Sequence, residues 1–167
     1  MVRGEARVRR AAALLVTVAL VPGLTSCVPG ASGASCQADY PSYGTTAELE
    51  DSADLIVRGT FTALADDDTE GYPRTVATVD VAASAKGDAT PGSTLEIAYT
   101  RCDDAVQLGL EVGDEYVILL SDPADDALPT PVNISQAFHA VEDGHAVTTP
   151  GNPVELDPAT LRALGLS

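Results

Sequence analysis

Positively charged, aromatic and metal-binding residues are scarce in this sequence. Nine lysines and arginines stand against 25 aspartates and glutamates, tryptophan is absent, and the 167 residues include two phenylalanines, two histidines and three cysteines. A nucleic-acid-binding protein needs a basic surface, so the charge balance argues against nucleic-acid binding and against docking to anionic headgroups through side chains. Because aromatic residues are few, we expect an aliphatic core.

Sequence signatures of catalysis are missing as well. No serine lies in G-x-S-x-G or S-x-x-K, no H-E-x-x-H occurs, and no glycine-rich phosphate loop follows a predicted strand. The cysteines lack the C-x-x-C spacing that is typical of a zinc site. We therefore predict a protein that is not an enzyme and carries no cofactor.

The N-terminal residues have the pattern of a secretory signal. Residues 1–10 contain four arginines and one acid, and the apolar run that follows ends at Pro22-Gly23. A positive segment ahead of a short apolar segment is typical of a signal peptide, whereas a transmembrane helix needs about 20 apolar residues. An uncleaved membrane anchor is the alternative.

The residues that close this apolar run are Leu24, Thr25, Ser26 and Cys27. An aliphatic residue, two small residues and a cysteine at this place resemble the lipobox of bacterial lipoproteins. The resemblance implies a signal peptide over 1–26 and a diacylglycerol, with palmitate among the acyl chains, on the Cys27 sulfur. Because two acyl chains anchor a protein stably, we expect the chain at the extracytoplasmic face of the cell membrane.

The expected mature chain consists of a tether and one domain. Residues 27–35 are small and flexible in composition, and residues 36–167 have the length of a single domain. The mature chain keeps five of the nine cations and 24 of the 25 acids, so its formal net charge is −19. Such acidity favours solubility and weak self-association; specific binding of a cation or polycation is the alternative.

Alternating apolar and polar residues predict about five main strands with a short helix at each end. In the first strand, Leu55, Val57, Phe61 and Ala63 fall on one face, and Gly59 between them marks a bulge or bend. The run 116–120 is apolar throughout, which predicts a strand that is covered on both faces.

Turn and cap signals complete the prediction. Asp143-Gly144 between two alternating runs predicts a two-residue hairpin. Thr45 or Thr46 begins the N-terminal helix, and Asp157 followed by Pro158 begins the C-terminal one. Many short strands in a small chain favour a five-stranded Greek-key barrel of the oligonucleotide/oligosaccharide-binding (OB) type.

Three motifs follow one another within residues 36–122. They are an A-D-hydrophobic-R strand at 53–58, a Lys-Gly turn at 86–87, and a G-x-x-Y apolar run at 113–120. Their order resembles the netrin-like domain, the family that includes the tissue inhibitors of metalloproteinases. The resemblance implies a five-stranded barrel with a binding or inhibitory role. Those inhibitors ligate a protease metal through a free N-terminal cysteine amine, whereas Cys36 is internal here, so metalloproteinase inhibition is not expected.

Cys36 and Cys102 are the remaining cysteines. An extracytoplasmic compartment permits disulfides, and two cysteines leave one intramolecular pairing, so we predict a bond between them. Closing a loop of this length would stabilise the fold by about 4 kcal/mol in the chain-entropy model. Free thiols are the alternative.

The two histidines, His139 and His145, are the candidate general bases or metal ligands. A two-residue turn between them pairs Glu142 with His145 and directs His139 to the opposite face, so the two rings cannot share a metal. We predict that both are surface residues of strands. An uncharacterised envelope hydrolase that uses one of them with a loop carboxylate is the alternative function.

The acidic loop 66–71 comes closest to a metal-binding pattern. Asp66, Asp68 and Glu70, with a glycine after them, resemble the first half of a calcium loop. The position where that pattern needs a bidentate glutamate is Ala77, which falls in a predicted strand. We expect a solvated loop without metal; calcium-dependent binding is the alternative.

These patterns together favour a non-enzymatic binding or inhibitory module. Its contact with the membrane is the lipid on Cys27. Its expected partner is an envelope protein or a cell-wall component, for which the sequence names no contact residues.

Overall fold

The computed structural model describes residues 40–68, 73–100, 108–121, 127–148 and 152–167. Within these ranges the chain is mostly β, as predicted, and forms seven strands and two helices. In chain order the elements are α1 (Thr46–Ser52), β1 (Leu55–Asp67), β2 (Arg74–Lys86), β3 (Thr94–Thr100), β4 (Glu115–Ser121), β5 (Thr130–Pro131), β6 (Phe138–Glu142), β7 (His145–Val147) and α2 (Pro158–Ala163).

All seven strands belong to one antiparallel sheet. The strand order is β3-β2-β1-β4-β6-β7, and β5 pairs with the end of β4 beyond β6. β1 and β2 are the longest strands, with 13 residues each, and they pair along almost their whole length. β1 therefore lies inside the sheet, with β2 on one side and β4 on the other.

The strand ladders of the described residues do not close into the predicted barrel. β3 and β7 stand at the two ends of the strand order. One backbone hydrogen bond joins the outer edge of β3 to the segment before β5, since the Ala98 N–H donates to the Pro129 carbonyl at 2.9 Å. This bond brings β3 close to β5 without forming a ladder.

Irregular pairing of β1 with β2 decides which β1 residues reach the core. One of three register shifts lies between Arg58 and Gly59, where the mid-strand glycine predicted a bulge. A Cβ on Gly59 would lie 2.6 Å from the Asp80 carbonyl oxygen, so the strands approach too closely for a side chain. A further shift between Phe61 and Ala63 leaves Phe61 buried and Ala63 exposed. The prediction of one common apolar face is therefore wrong beyond Phe61.

β4 forms the middle of the core. All of its residues 116–120 are buried, as the continuous apolar run predicted. The core also contains a small aromatic cluster, in which the Phe61 ring centroid lies 5.2 Å from that of Tyr116 and 6.2 Å from that of Phe138. Tilted ring pairs at such separations are favourable. The expectation of an aliphatic core is thus correct for residues 117–120 of β4 but incomplete for the whole domain.

Both helices and the predicted hairpin begin at the residues that the sequence indicated. Thr45 caps α1 in a capping box with Glu48, and Asp157 caps α2. The hairpin turn has positive φ at both central residues, 50° at Asp143 and 81° at Gly144. Two such residues are the requirement of a type I′ turn.

The segment 40–44, which leads into α1, is held against the turn after β5. The Gln136 side chain accepts a hydrogen bond from the Tyr43 N–H and donates one to the Tyr43 carbonyl. The Asn133 side-chain amide donates to the Pro41 carbonyl. Both polar side chains are buried, so they fix the path of the chain into the domain.

Candidate functional site

His139 lies in β6, opposite Val117 of β4, and only 1% of it is exposed to solvent. The prediction that it is a surface residue is therefore wrong. The face of β6 that carries this ring is covered because residues of the 152–161 segment pack against it. Strand alternation could not reveal this cover, since the segment lies after the hairpin in the sequence.

The side chain of Asn152 fixes the protonation state of the His139 ring. Its amide nitrogen donates to the carbonyls of Gln136, at 3.0 Å, and Phe138, at 3.4 Å, and lies 3.2 Å from Nε2 of His139. Two carbonyl neighbours identify this atom as the amide nitrogen, which can only donate. An N–H on Nε2 of His139 would point at this donor, so Nε2 carries no proton, and the neutral imidazole carries its proton on Nδ1.

Burial also favours the neutral form of the His139 ring. Desolvation lowers the pKa of His139 from 6.5 to about 4, because the charged imidazolium loses its hydration inside the protein. A protonated ring would also present an N–H to the Asn152 amide, and two donors repel. His139 is therefore neutral at physiological pH.

A cavity of about 240 Å³ lies beside His139. Its walls come from the β6–β7 hairpin and from the segment that leads into α2. The described residues that line it are His139, Ala146, Thr148, Glu155, Leu156, Pro158 and Leu161. The cavity thus combines an aliphatic wall with an imidazole, a hydroxyl and one carboxylate.

Contacts with α1 hold the α2 side of the cavity in place. The Glu50 carboxylate accepts from the Asp157 N–H at 2.7 Å and from the Thr160 hydroxyl at 2.8 Å. The Thr46 hydroxyl donates to the Glu155 carbonyl at 2.6 Å. The backbone of Glu155, an exposed residue of the cavity lining, is therefore fixed.

The Glu155 carboxylate makes no hydrogen bond or ion pair with any described residue. The two ion pairs found within the described ranges, Arg58 with Glu115 and Arg74 with Asp67, do not involve it. None of the described lining residues is a cation. Glu155 is an exposed residue of the lining, and a carboxylate without an ion pair at this position can attract a positively charged group.

His145 lies in β7, is exposed, and is not among the described residues that line the cavity. It pairs with Glu142 across the hairpin, as predicted. Its Nδ1 lies 2.6 Å from the Ser167 backbone oxygen and 3.2 Å from the Ser167 hydroxyl. The two histidines do not form a common site.

The structure describes two of the three acidic residues of the calcium-like pattern. Asp66 lies in β1, paired with Thr75 of β2, and Asp68 follows the end of that strand. Glu70 lies outside the described residues. Ala77 is buried in β2, as predicted. Within the described ranges, no three histidine, cysteine or acidic side chains come together as a metal site.

The three cysteines, Cys27, Cys36 and Cys102, all lie outside the described residues. The lipid attachment and the disulfide therefore remain predictions. In the part of the chain that the structure describes, no helix has the length and apolarity to cross a membrane.

A second cavity, of about 230 Å³, lies at the edge of β3. Its described lining is largely aliphatic and aromatic, with Tyr99, Ala98 and Leu128 among the contributors. The arginine at its border, Arg74, is paired with Asp67, Nε to Oδ2, at 2.7 Å. The described lining of this cavity offers a ligand fewer polar groups than the lining of the cavity beside His139.

Comparison with known proteins gives no family for this chain. Neither a protein-family model nor a curated protein sequence matches it. The function must therefore be argued from the residues. Asn152 and Glu155 were not identified from the sequence, because neither belongs to a motif. Both reach the site because the chain after the hairpin returns to β6.

Proposed function

We propose that this protein is a non-enzymatic binding or inhibitory module of the bacterial cell envelope, anchored by a lipid on Cys27 at the extracytoplasmic face of the membrane. The lipobox-like residues support the anchor, and the acidic charge argues against nucleic acid as a partner. The partner is an envelope protein or a cell-wall component.

The observation that carries the non-enzymatic part is the contact between Asn152 and His139. A histidine that serves as a general base needs a free lone pair within reach of the substrate. The lone pair on Nε2 of His139 faces the Asn152 amide nitrogen at 3.2 Å, and the low pKa makes the ring a weak base. The cavity thus offers groups that bind a ligand rather than a set that moves a proton.

We further propose that the domain is a five-stranded Greek-key barrel of the OB and netrin-like type. In such a barrel the strand order closes through a contact between the third and fifth strands. The bond from Ala98 to Pro129, together with the pairing of β5 with β4, supports this closure. Inhibition of metalloproteinases is not part of the proposal, because Cys36 is internal and the cysteine expected at the mature N-terminus, Cys27, carries the lipid.

A hydrolase is the second candidate, and one observation favours it. His139 and Glu155 line the same cavity, so an imidazole and a carboxylate lie next to space that a ligand could enter. Calcium-dependent binding through Asp66, Asp68 and Glu70 has no such support, since Asp66 is part of the β1 ladder.

Crosslinking in intact membranes tests the binding function. The full-length protein and its His139→Gln variant would be crosslinked in cells, the attached component identified by mass spectrometry, and that component then incubated with each purified protein. We expect the wild-type protein to form a complex and leave the component's mass unchanged. Cleavage by the wild type that His139→Gln abolishes would establish the hydrolase instead.

A further inference from the structure

We propose that the cavity beside His139 binds a small aliphatic α-amino amide, the chemical group shared by a free amino-acid amide and the first residue of a peptide. The inference rests on the proposed binding function and names a ligand class for it. Three features of the cavity carry the inference: a free carboxylate, a hydrogen-bond donor on a buried ring, and an aliphatic wall of limited volume.

The carboxylate selects for a protonated amine. Glu155 has no ion-pair partner among the described residues, and no described lining residue carries a positive charge. An ammonium group placed at Glu155 would make a charge-assisted hydrogen bond, which is stronger than a bond between neutral groups. The acidic balance of the whole chain, 25 acids against nine cations, favours the approach of a cation further.

The buried imidazole selects for an acceptor next to that amine. Asn152 occupies Nε2 of His139, so the ring proton resides on Nδ1. The Asn152 contact is the ring's one hydrogen bond among the described residues, and His139 is among the residues that line the cavity. A carbonyl oxygen in the ligand could accept from the Nδ1–H, whereas a second ammonium could not.

Size and apolarity select the rest of the ligand. Since a water molecule occupies about 30 Å³ in the liquid, a volume of about 240 Å³ accommodates roughly eight non-hydrogen atoms. Leu156, Leu161 and Ala146 supply an aliphatic surface for a short hydrocarbon side chain. An amine, an adjacent carbonyl and a branched aliphatic side chain together match the size and chemistry of one amino-terminal residue.

Amide NMR of the full-length protein in detergent tests this inference with L-leucinamide as the probe. We expect saturable shifts of the Ala146 and Leu161 amide signals, with a Kd in the millimolar range that suits so small a ligand. 4-Methylpentanamide, which is leucinamide without its amine, lacks the charge at nearly the same size, so its binding should be weaker by up to about fivefold. Leucylglycinamide distinguishes the two sources of this ligand group. Binding as tight as that of leucinamide identifies a peptide terminus, and much weaker binding identifies a free amino-acid amide.

A matched pair of variants tests the role of the carboxylate. Glu155→Gln removes one charge at the cavity, and Glu96→Gln removes one charge from an exposed position on β3. Glu155→Gln should weaken leucinamide binding by up to about fivefold, and Glu96→Gln should leave it unchanged. Absence of saturable shifts, equal binding of 4-methylpentanamide, or equal effects of the two variants would overturn the inference. None of these results bears on the lipid anchor or on crosslinking to an envelope partner.

Discussion

The amide nitrogen of Asn152 lies 3.2 Å from Nε2 of His139, and two backbone carbonyls hold it there. This contact joins the segment before α2 to β6, and burial at the junction keeps the imidazole neutral. The cavity at this junction depends on the contact, because its walls come from both parts of the chain.

Acid should destabilise the protein through His139. Burial lowers the pKa of this ring to about 4 in the folded state, while 6.5 is its ordinary value. The unfolded chain therefore takes up the proton first, so the stabilisation is complete above pH 6.5 and is lost as the pH falls towards 4. The full effect is about 3 kcal/mol in the free energy of unfolding, and urea unfolding between about pH 7 and pH 5 measures a little over half of it.

One variant assigns this pH dependence to its residue. His139→Gln should be less sensitive to pH than the wild type, whatever its own stability. Equal slopes for the two proteins would contradict the assignment.

Gly59→Ala should be strongly destabilising. The new Cβ would lie 2.6 Å from both the Asp80 carbonyl oxygen and a methyl carbon of Val79, and the backbone oxygen cannot move without disturbing the β1–β2 pairing. Overpacking of this kind costs about 1–3 kcal/mol, and we expect the upper part of that range. Urea unfolding of the variant provides the measurement.

Gly92→Ala is the matched control for this substitution. Gly92 has φ of 85° but no atom within 4 Å of an added Cβ, so only the backbone strain of about 1 kcal/mol remains. If Gly59→Ala proved as mild as Gly92→Ala, the close approach of β1 to β2 would be incorrect.

Local signals predicted the turns and caps of this fold well. Asp143-Gly144 provides the two left-handed residues that a tight hairpin requires, and Thr45 and Asp157 provide side-chain acceptors for helix N–H groups. Each of these features depends on a few neighbouring residues, and therefore the sequence contains the information directly.

The candidate site could not be predicted in this way. Its chemistry depends on Asn152 and Glu155 meeting His139 across the hairpin, and no local pattern specifies that packing. The bulges in β1 had a similar effect on the fold, because the shift after Phe61 changed which residues face the core. Only the bulge at Gly59 had a signal in the sequence.

Amide hydrogen exchange should reveal whether β3 meets the segment before β5. The Ala98 N–H donates to Pro129, while the Glu96 N–H, on the same edge of β3, makes no such bond within the described ranges. We expect slower exchange at Ala98 than at Glu96, since hydrogen-bonded amides exchange through opening of the structure. Equally fast exchange at both positions would contradict the proposed barrel closure.

Reduction should destabilise the protein if Cys36 and Cys102 are bonded. Intact mass after alkylation, with and without prior reduction, counts the free thiols, and we expect this pair to react only after reduction. Loss of the bond should lower the free energy of unfolding by up to about 4 kcal/mol. Alkylation of both thiols without reduction would show that they are free.

The most direct test of the proposed membrane anchor is the intact mass of the protein extracted from membranes. We expect a chain that begins at Cys27 and carries diacylglycerol, and Ser26→Ala should give the same product because it preserves a small residue in the lipobox-like sequence. Cys27→Ala should lack the lipid mass and leave the membrane fraction. A wild-type protein without lipid, or a Cys27→Ala variant that remains in the membrane fraction, would contradict the account.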